Sequence, residues 1–267
     1  MNILLTGVAS GIGKDIALKF ILKGHDVYGI DIKKTDIKGL SFFQCDITNK
    51  EQLSEIKDNF IDNNINFDMI INVAGIHKMA SLVENNFEDL KKIIDINLCG
   101  TMLVNNTFYS LLKPKGKIII VTSEVASFDP LPFNGIYNVS KNALESYAQA
   151  LRQELNLLNQ TVITIQPGAI ETPLCNQSLQ DTKSLAKDTK LFYNQANNFL
   201  GLTQKFMGKP LSTEKLADFI YKKVTKKKNK YTYKIHRSFG LMLLNALPKR
   251  LQCFIIKLLL NSKKGLH

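Results

Sequence analysis

Thr6-Gly7-Val8-Ala9-Ser10-Gly11-Ile12-Gly13 decides the fold of this 267-residue chain. Before it stands the short apolar run Ile3-Leu4-Leu5, and after it Ile12, Ile16, Ala17, Phe20 and Ile21 recur at helical spacing, so the segment reads as strand, turn and helix. Glycines at such a junction let the backbone turn tightly and approach a phosphate group. The helix that follows offers free N–H groups and a partial positive charge.

The pattern repeats outward from this stretch. Val27–Asp31, Leu40–Cys45, Met69–Val73, Lys117–Val121 and Val162–Ile165 are apolar runs of strand length, and Tyr231–Ile235 reads as a final strand. Between them lie helical patterns near 50–63, 90–104 and 136–158, with another over Glu214–Lys226. Unbroken apolar strands alternating with helices predict a parallel sheet covered on both faces. The expected fold is therefore α/β, a doubly wound, Rossmann-like parallel sheet of about seven strands, with ligands at the carboxyl ends of the strands. A polar stretch from Asn176 to Asn198 reads either as a helical lid or as an ordinary surface connection.

Composition bounds the class. Hydrophobic residues at 45% and charged residues at 22% fit a globular chain and argue against general disorder. Cys45, Cys99, Cys175 and Cys253 form no close pair, so no metal-ligand spacing or redox dithiol is expected, and a reducing, cytoplasmic setting fits them. The N-terminus shows no basic and apolar leader, so secretion is not expected.

Asp31 ends the second strand about twenty residues beyond the glycines, where a carboxylate accepts from ribose hydroxyls and repels a 2′-phosphate. NAD is thereby favoured over NADP, although Lys33 and Lys34 beside it would suit the phosphate. Farther along, Tyr137-Asn138-Val139-Ser140-Lys141 puts a phenol and an ammonium on one helix face. A neighbouring ammonium favours the phenolate and moves a tyrosine toward useful proton chemistry.

The spacing of the glycines and the Tyr-x-x-x-Lys pair resemble those of the short-chain dehydrogenase/reductase family, over roughly residues 2–172. Asp46-Ile47 resembles that family's adenine-contacting pair. Asn72-Val73-Ala74-Gly75 is similar to its Asn-Asn-Ala-Gly signature with Val73 in place of the second Asn, and Pro167-Gly168-Ala169-Ile170-Glu171-Thr172 is similar to its Pro-Gly-x-x-x-Thr segment. The resemblance implies an NAD(P)-dependent oxidoreductase that moves a hydride between its cofactor and an alcohol or ketone carbon. Tyr137 would be the general acid or base, Lys141 would hold the nicotinamide ribose, and Asn97 would complete a water-mediated proton path. Gly7, Ser10, Gly11, Ile12, Gly13, Asp31, Asp46, Ile47, Asn72, Ala74, Gly75, Lys141, Pro167, Gly168, Ile170 and Thr172 would line the cofactor. Homo-oligomers are also implied.

One family position departs from the pattern. The substrate-polarising serine is expected thirteen residues before the tyrosine, where Glu124 stands, with Ser123 one residue earlier. Ser123 is preferred because a hydroxyl donates to a developing oxyanion and an ionised carboxylate does not. Two other readings of the chain stay open: a cofactor-binding regulator without catalysis, and an epimerase or dehydratase.

Charge is unevenly placed. Residues 1–200 hold 19 Lys and Arg against 21 Asp and Glu, whereas residues 201–267 hold 16 against 2, so the excess of the +12 chain lies at its end. The expected organisation is a catalytic domain over 1–237 and a basic, apolar extension over 238–267. Neither apolar piece of that extension reaches the roughly 20 residues that span a bilayer. It fits peripheral contact with an anionic membrane, or else packing over the substrate pocket or a dimer interface, and the membrane reading favours an apolar substrate. Nucleic acid is not expected, since Lys226-Lys227-Lys228 has only Tyr231 and Tyr233 as aromatic company.

Overall fold

A computed structural model describes residues 1–206 and 209–262. It contains one seven-stranded parallel sheet in the order β3-β2-β1-β4-β5-β6-β9. The strands are β1 (Asn2–Thr6), β2 (Asp26–Asp31), β3 (Leu40–Gln44), β4 (Phe67–Asn72), β5 (Leu112–Val121), β6 (Thr161–Pro167) and β9 (Thr232–Ile235). A separate pair, β7 (Ile170–Glu171) and β8 (Leu211–Ser212), lies outside this sheet. The order reverses between β1 and β4, which opens a crevice at their carboxyl ends.

Both faces of the sheet are buried, which explains the continuous apolar strands. On one face Ile3, Leu5, Met69, Ile71, Ile119 and Ile163 pack against Ile16, Ala17 and Phe20 of α1 (Gly11–Leu22) and Leu216, Ile220 and Val224 of α8 (Thr213–Val224). On the other, Leu4, Ile70, Ile118, Ile120 and Val162 meet α2 (Lys50–Asp62), α4 (Thr101–Phe108) and α5 (Gly135–Asn156). Phe60 of α2 stands edge-on to Tyr28, Phe43 and Phe67 with ring centroids 5.0 to 5.5 Å apart. Fully buried side chains of this size each stabilise the fold by roughly 1.5–3 kcal/mol.

The long helix expected over 90–104 is α3 (Phe87–Ile94) and α4, joined without a break through one π-helical turn, Asp95–Gly100. The wider turn takes one extra residue and sits where Asn97 faces inward, as such turns often do at functional sites. Gly100 ends this turn close against the loop after β3, where a Cβ would lie 2.8 Å from the Ile47 side chain. The polar stretch 176–198 falls in α6 (Pro173–Asp188) and α7 (Tyr193–Phe206).

Two short helices end the described chain, α9 (Phe239–Asn245) and α10 (Lys249–Leu260). The inner side of α10 joins a small apolar cluster in which Leu260 and Ile256 meet Met79, Phe133, Ala196 and Phe199. Residues 263–267 of the predicted extension lie outside the described residues.

Candidate active site

The glycines of the first turn are required by contact. Gly7 has φ +78°, and a Cβ there would lie 2.8 Å from the Ala74 nitrogen. At Gly13 a Cβ would fall 2.0 Å from the Gly7 carbonyl oxygen, so the start of α1 presses against the turn itself. Ser10 caps α1 in an extended conformation with no side-chain capping bond. Its hydroxyl is exposed at the helix N-terminus beside unpaired N–H groups, an arrangement suited to phosphate. Across the crevice stands Thr172, which caps α6 and lies near Gly11, where an added Cβ would be 3.4 Å from the Thr172 methyl. Ile12 packs half-buried on the core, and Ile170 is buried within it.

Asp31 is fixed by two backbone donors. The Ala9 N–H donates to one carboxylate oxygen and the Lys33 N–H to the other, each at 2.9 Å. These bonds set the carboxylate beside the glycine turn while leaving lone pairs for a ribose. Asp46 accepts from the N–H and hydroxyl of Thr48, holding the turn after β3, and Ile47 is buried. Asn72, at the end of β4, donates to Asn105 of α4 at 2.8 Å. Thr6, which the sequence reading did not single out, accepts from the N–H groups of Val73 and Ala74 at 3.2 Å and ties β1 to the end of β4.

Gly75 links the two halves of the site. A Cβ on it would lie 3.0 Å from the Asn97 amide oxygen and 3.6 Å from the Lys141 ammonium, closing the space between them. Such a cradle, with Gly7 and Gly13 at its other end and Asp31 beside it, fits a dinucleotide. The Asn97 amide is fully engaged: it accepts from the Ile76 N–H at 2.8 Å and donates to the Ile76 carbonyl at 2.9 Å and the Ser140 hydroxyl at 3.0 Å. Its side chain clamps the loop after β4.

Tyr137 and Lys141 are both buried on α5, with the ammonium 5.7 Å from the phenol ring centroid. Burial pushes the Tyr137 hydroxyl up to about 12, and the opposing pull comes from a hydrogen bond with Ser123. Lys141 is the other side of the same desolvation. Burial brings it down from 10.5 to about 8, against the attraction of Glu145, and its nearest partner is the Val121 carbonyl at 3.4 Å. The ammonium of Lys141 is thus not what lowers the phenol in this structure.

Ser123 and Glu124 engage different partners. Ser123 meets Tyr137, whereas Glu124, buried, accepts from the Ser238 N–H at 2.7 Å. Gly168 closes the same corner: its N–H donates to the Ile235 carbonyl at 2.9 Å, and a Cβ would collide with the His236 carbonyl at 1.8 Å. Pro167 and Gly168 therefore pack against the end of β9.

Sequence reasoning missed several supporting groups. Asn138 donates to the carbonyls of Val125 and Phe128 and holds the loop after β5. Glu145 accepts from Thr122 at 2.6 Å and Gln166 at 2.8 Å. The signal for these was present: 137, 138, 141 and 145 share one helix face, and polar residues on an inward face need partners. His77 gave no such signal. Its ring stands edge-on to Tyr137 at 4.4 Å, with Nε2 3.0 Å from the Asn134 side-chain oxygen, and burial lowers its pKa. Beyond Met79 a cavity of about 310 Å³ opens between the loop after β4 and α6, lined in part by Lys78, Asp181 and Leu185.

The chain is similar in sequence and fold to known proteins. The family model for short chain dehydrogenases matches residues 1–183. Among curated proteins, the chain is 29% identical over 229 residues to the NADPH-dependent 1-acyldihydroxyacetone phosphate reductase of Schizosaccharomyces pombe, covering 82% of this chain and 76% of that one. It is 27% identical to a 3-ketodihydrosphingosine reductase of Bacteroides thetaiotaomicron, covering 74% and 72%. A 3-oxoacyl-acyl-carrier-protein reductase of Thermotoga maritima is 29% identical, with 68% of this chain and 79% of that one covered. The structure of ligand-free aldohexose dehydrogenase from Thermoplasma acidophilum superposes with a TM-score of 0.75 at 17% identity, covering 93% and 97%. With its nucleotide cradle and buried tyrosine–lysine pair matched by a family model over more than half its length, the chain belongs to the short-chain dehydrogenases and is an NAD(P)-dependent oxidoreductase acting on a small-molecule substrate.

Proposed function

We propose that this enzyme reduces the ketone of a lipid-like substrate, with NADH preferred over NADPH. The observation that carries the reading is the convergence of Ser123 and Lys141 on the buried Tyr137 phenol, beside the opening at Gly75. Bound nicotinamide would supply the hydride to the carbonyl carbon. Tyr137 then gives its proton to the carbonyl oxygen, and Ser123 donates a hydrogen bond to that oxygen as charge develops on it. Lys141, an ammonium below about pH 8, stands beside the phenolate that forms and faces the ribose side of the cradle. Asn97 holds the Ile76 backbone, and with it the floor between cofactor and substrate.

The lipid reading is supported by the names of three relatives, which are reductases of an acyldihydroxyacetone phosphate, a ketosphingoid base and a 3-oxoacyl chain. Met79, Phe133 and Phe199, with the inner side of α10, supply an apolar cluster that begins two residues beyond His77, whose ring meets Tyr137. The preference for NADH is supported by Asp31, whose carboxylate would stand against a 2′-phosphate. The relative from S. pombe uses NADPH, so the two cofactors are to be compared directly. By family likeness the catalytic unit, over 1–237, would work as a homo-oligomer.

The test is fluorescence titration with NADH and NADPH, followed by oxidation of the bound cofactor against long-chain and short-chain ketones. Tighter NADH binding and turnover of the long-chain ketones that disappears in Tyr137→Phe support the reading. Binding of neither cofactor overturns it.

A further inference from the structure

The outward faces of α9 and α10 are apolar and, among the described residues, left exposed. Phe239 is 71% exposed, Leu243 and Leu258 56%, and Phe254 55%. Large side chains left this exposed in one contiguous region mark an interaction surface. On α10, Leu251, Phe254 and Leu258 fall at i, i+3 and i+7 and form one stripe, with Arg250 and Lys257 along its edge. From Ser238 to Leu260 the chain carries no Asp or Glu.

We propose that this face docks on an anionic lipid bilayer. Charge selects the occupant. A second copy would bring Arg250 and Lys257 against their own kind across a symmetric contact. An anionic surface instead takes up the apolar stripe at its headgroup boundary and the cations among its headgroups. The excess positive charge of the last 67 residues, 16 Lys and Arg against 2 Asp and Glu, points the same way. Among the described residues no helix is long and apolar enough to cross a membrane, so the contact is peripheral.

The helix is held in the orientation that docking needs. Gln252 on its inner side donates to Asp129 at 3.1 Å and to the Leu247 carbonyl at 2.8 Å, and Asn198 of α7 donates to the Leu260 carbonyl at 2.8 Å. The same inner side meets the apolar cluster containing Met79 and Phe133. The inference deepens the proposed reaction, on which this part of it rests, by giving the source of an apolar ketone: the bilayer under α10.

Flotation of the full chain with phosphatidylcholine vesicles, with and without phosphatidylserine, tests the proposal without any substrate. The unaltered chain is expected to float only with the anionic vesicles. Phe254→Glu with Leu258→Glu, and separately Arg250→Glu with Lys257→Glu, are each expected to lower the bound fraction at least about tenfold while leaving cofactor binding intact. Retained cofactor binding shows that each variant is folded. Equal flotation of the variants, equal binding to neutral vesicles, or no flotation at all overturns the proposal. A dimer in solution that the Phe254→Glu, Leu258→Glu chain dissolves, without flotation of the parent, gives the face to a second copy instead. If the unaltered chain floats but binds neither cofactor, the proposed reaction falls and the docking surface stands.

Discussion

Ser123 and Glu124 are adjacent in the chain but engage different groups: the Ser123 side chain draws the Tyr137 phenol's pKa down against burial, and the Glu124 carboxylate takes the Ser238 N–H at 2.7 Å. Ser123→Ala should therefore lower kcat by about 10²–10³-fold, the usual loss for one donor to a developing oxyanion. Glu124→Gln should keep most of the turnover, because an amide oxygen still accepts from Ser238. A steady-state comparison in which the glutamine variant loses more than the alanine variant would reverse the assignment.

Glu124 also carries a stability signature. Burial raises its pKa above the ordinary 4.5, against the pull of Ser238, Arg237 and His236. The folded protein thus holds this proton more tightly than the unfolded chain, and the resulting stabilisation is lost as pH rises from 4.5 through the folded value. Glu124→Gln should gain in Tm relative to the parent across that rise. Glu124→Ala, which leaves the Ser238 N–H without its acceptor, should cost roughly 1–3 kcal/mol in denaturant unfolding.

Lys141 is predicted to be costly to the fold that contains it. Its drop from 10.5 to about 8 corresponds to about 3 kcal/mol of lost solvation at neutral pH. Between pH 8 and 10.5 the unfolded chain holds a proton that the folded one has released, so stability rises with pH in that window. Above pH 10 the raised Tyr137 begins to pull it down. Lys141→Met should be more stable than the parent at pH 7, should lose the rise above pH 8, and should be inactive. Urea titrations at pH 7 and 9.5 check the sign, and a less stable methionine variant at pH 7 would contradict it.

Asn97→Asp should be worse than its near-isosteric form implies. A carboxylate accepts from the Ile76 N–H but donates to neither the Ile76 carbonyl nor Ser140. Two buried acceptors left facing a charge should cost on the order of 3 kcal/mol and weaken cofactor binding through the displaced loop. Thermal unfolding beside a cofactor titration measures both effects.

Asp31→Ser removes the charge that opposes a 2′-phosphate and leaves Lys33 and Lys34 in place. The ratio of NADPH to NADH affinity should rise about tenfold or more, equivalent to roughly 1.4 kcal/mol. An unchanged ratio would remove Asp31 as the discriminating group.

The strands were legible because burial on both faces writes itself as uninterrupted Ile, Leu and Val, and the nucleotide turn because Gly7 and Gly13 admit no side chain. The π-turn at Asp95–Gly100 was not. Its one-residue widening leaves the helical spacing of neighbouring apolar residues nearly intact, and the close contact it makes, Gly100 against Ile47, joins segments far apart in the chain. The choice between Ser123 and Glu124 was likewise open in one dimension. What distinguishes them is the end of β9, more than a hundred residues onward. Asn97 was legible as a polar residue on the long helix, but its clamp on Ile76 depends on a backbone direction that no spacing reveals.

β9 pairs only with β6 and is the last strand of the sheet in chain order, yet His236 and Ser238 just beyond it complete the corner behind Glu124 and Gly168. During synthesis, then, the proposed catalytic side chains Asn97, Ser123, Tyr137 and Lys141 leave the ribosome well before the wall that holds Glu124. The nascent chain passes through an interval with an open sheet edge along β6 and a Glu124 without its Ser238 partner, and that interval is when a chaperone or a protease has most to act on.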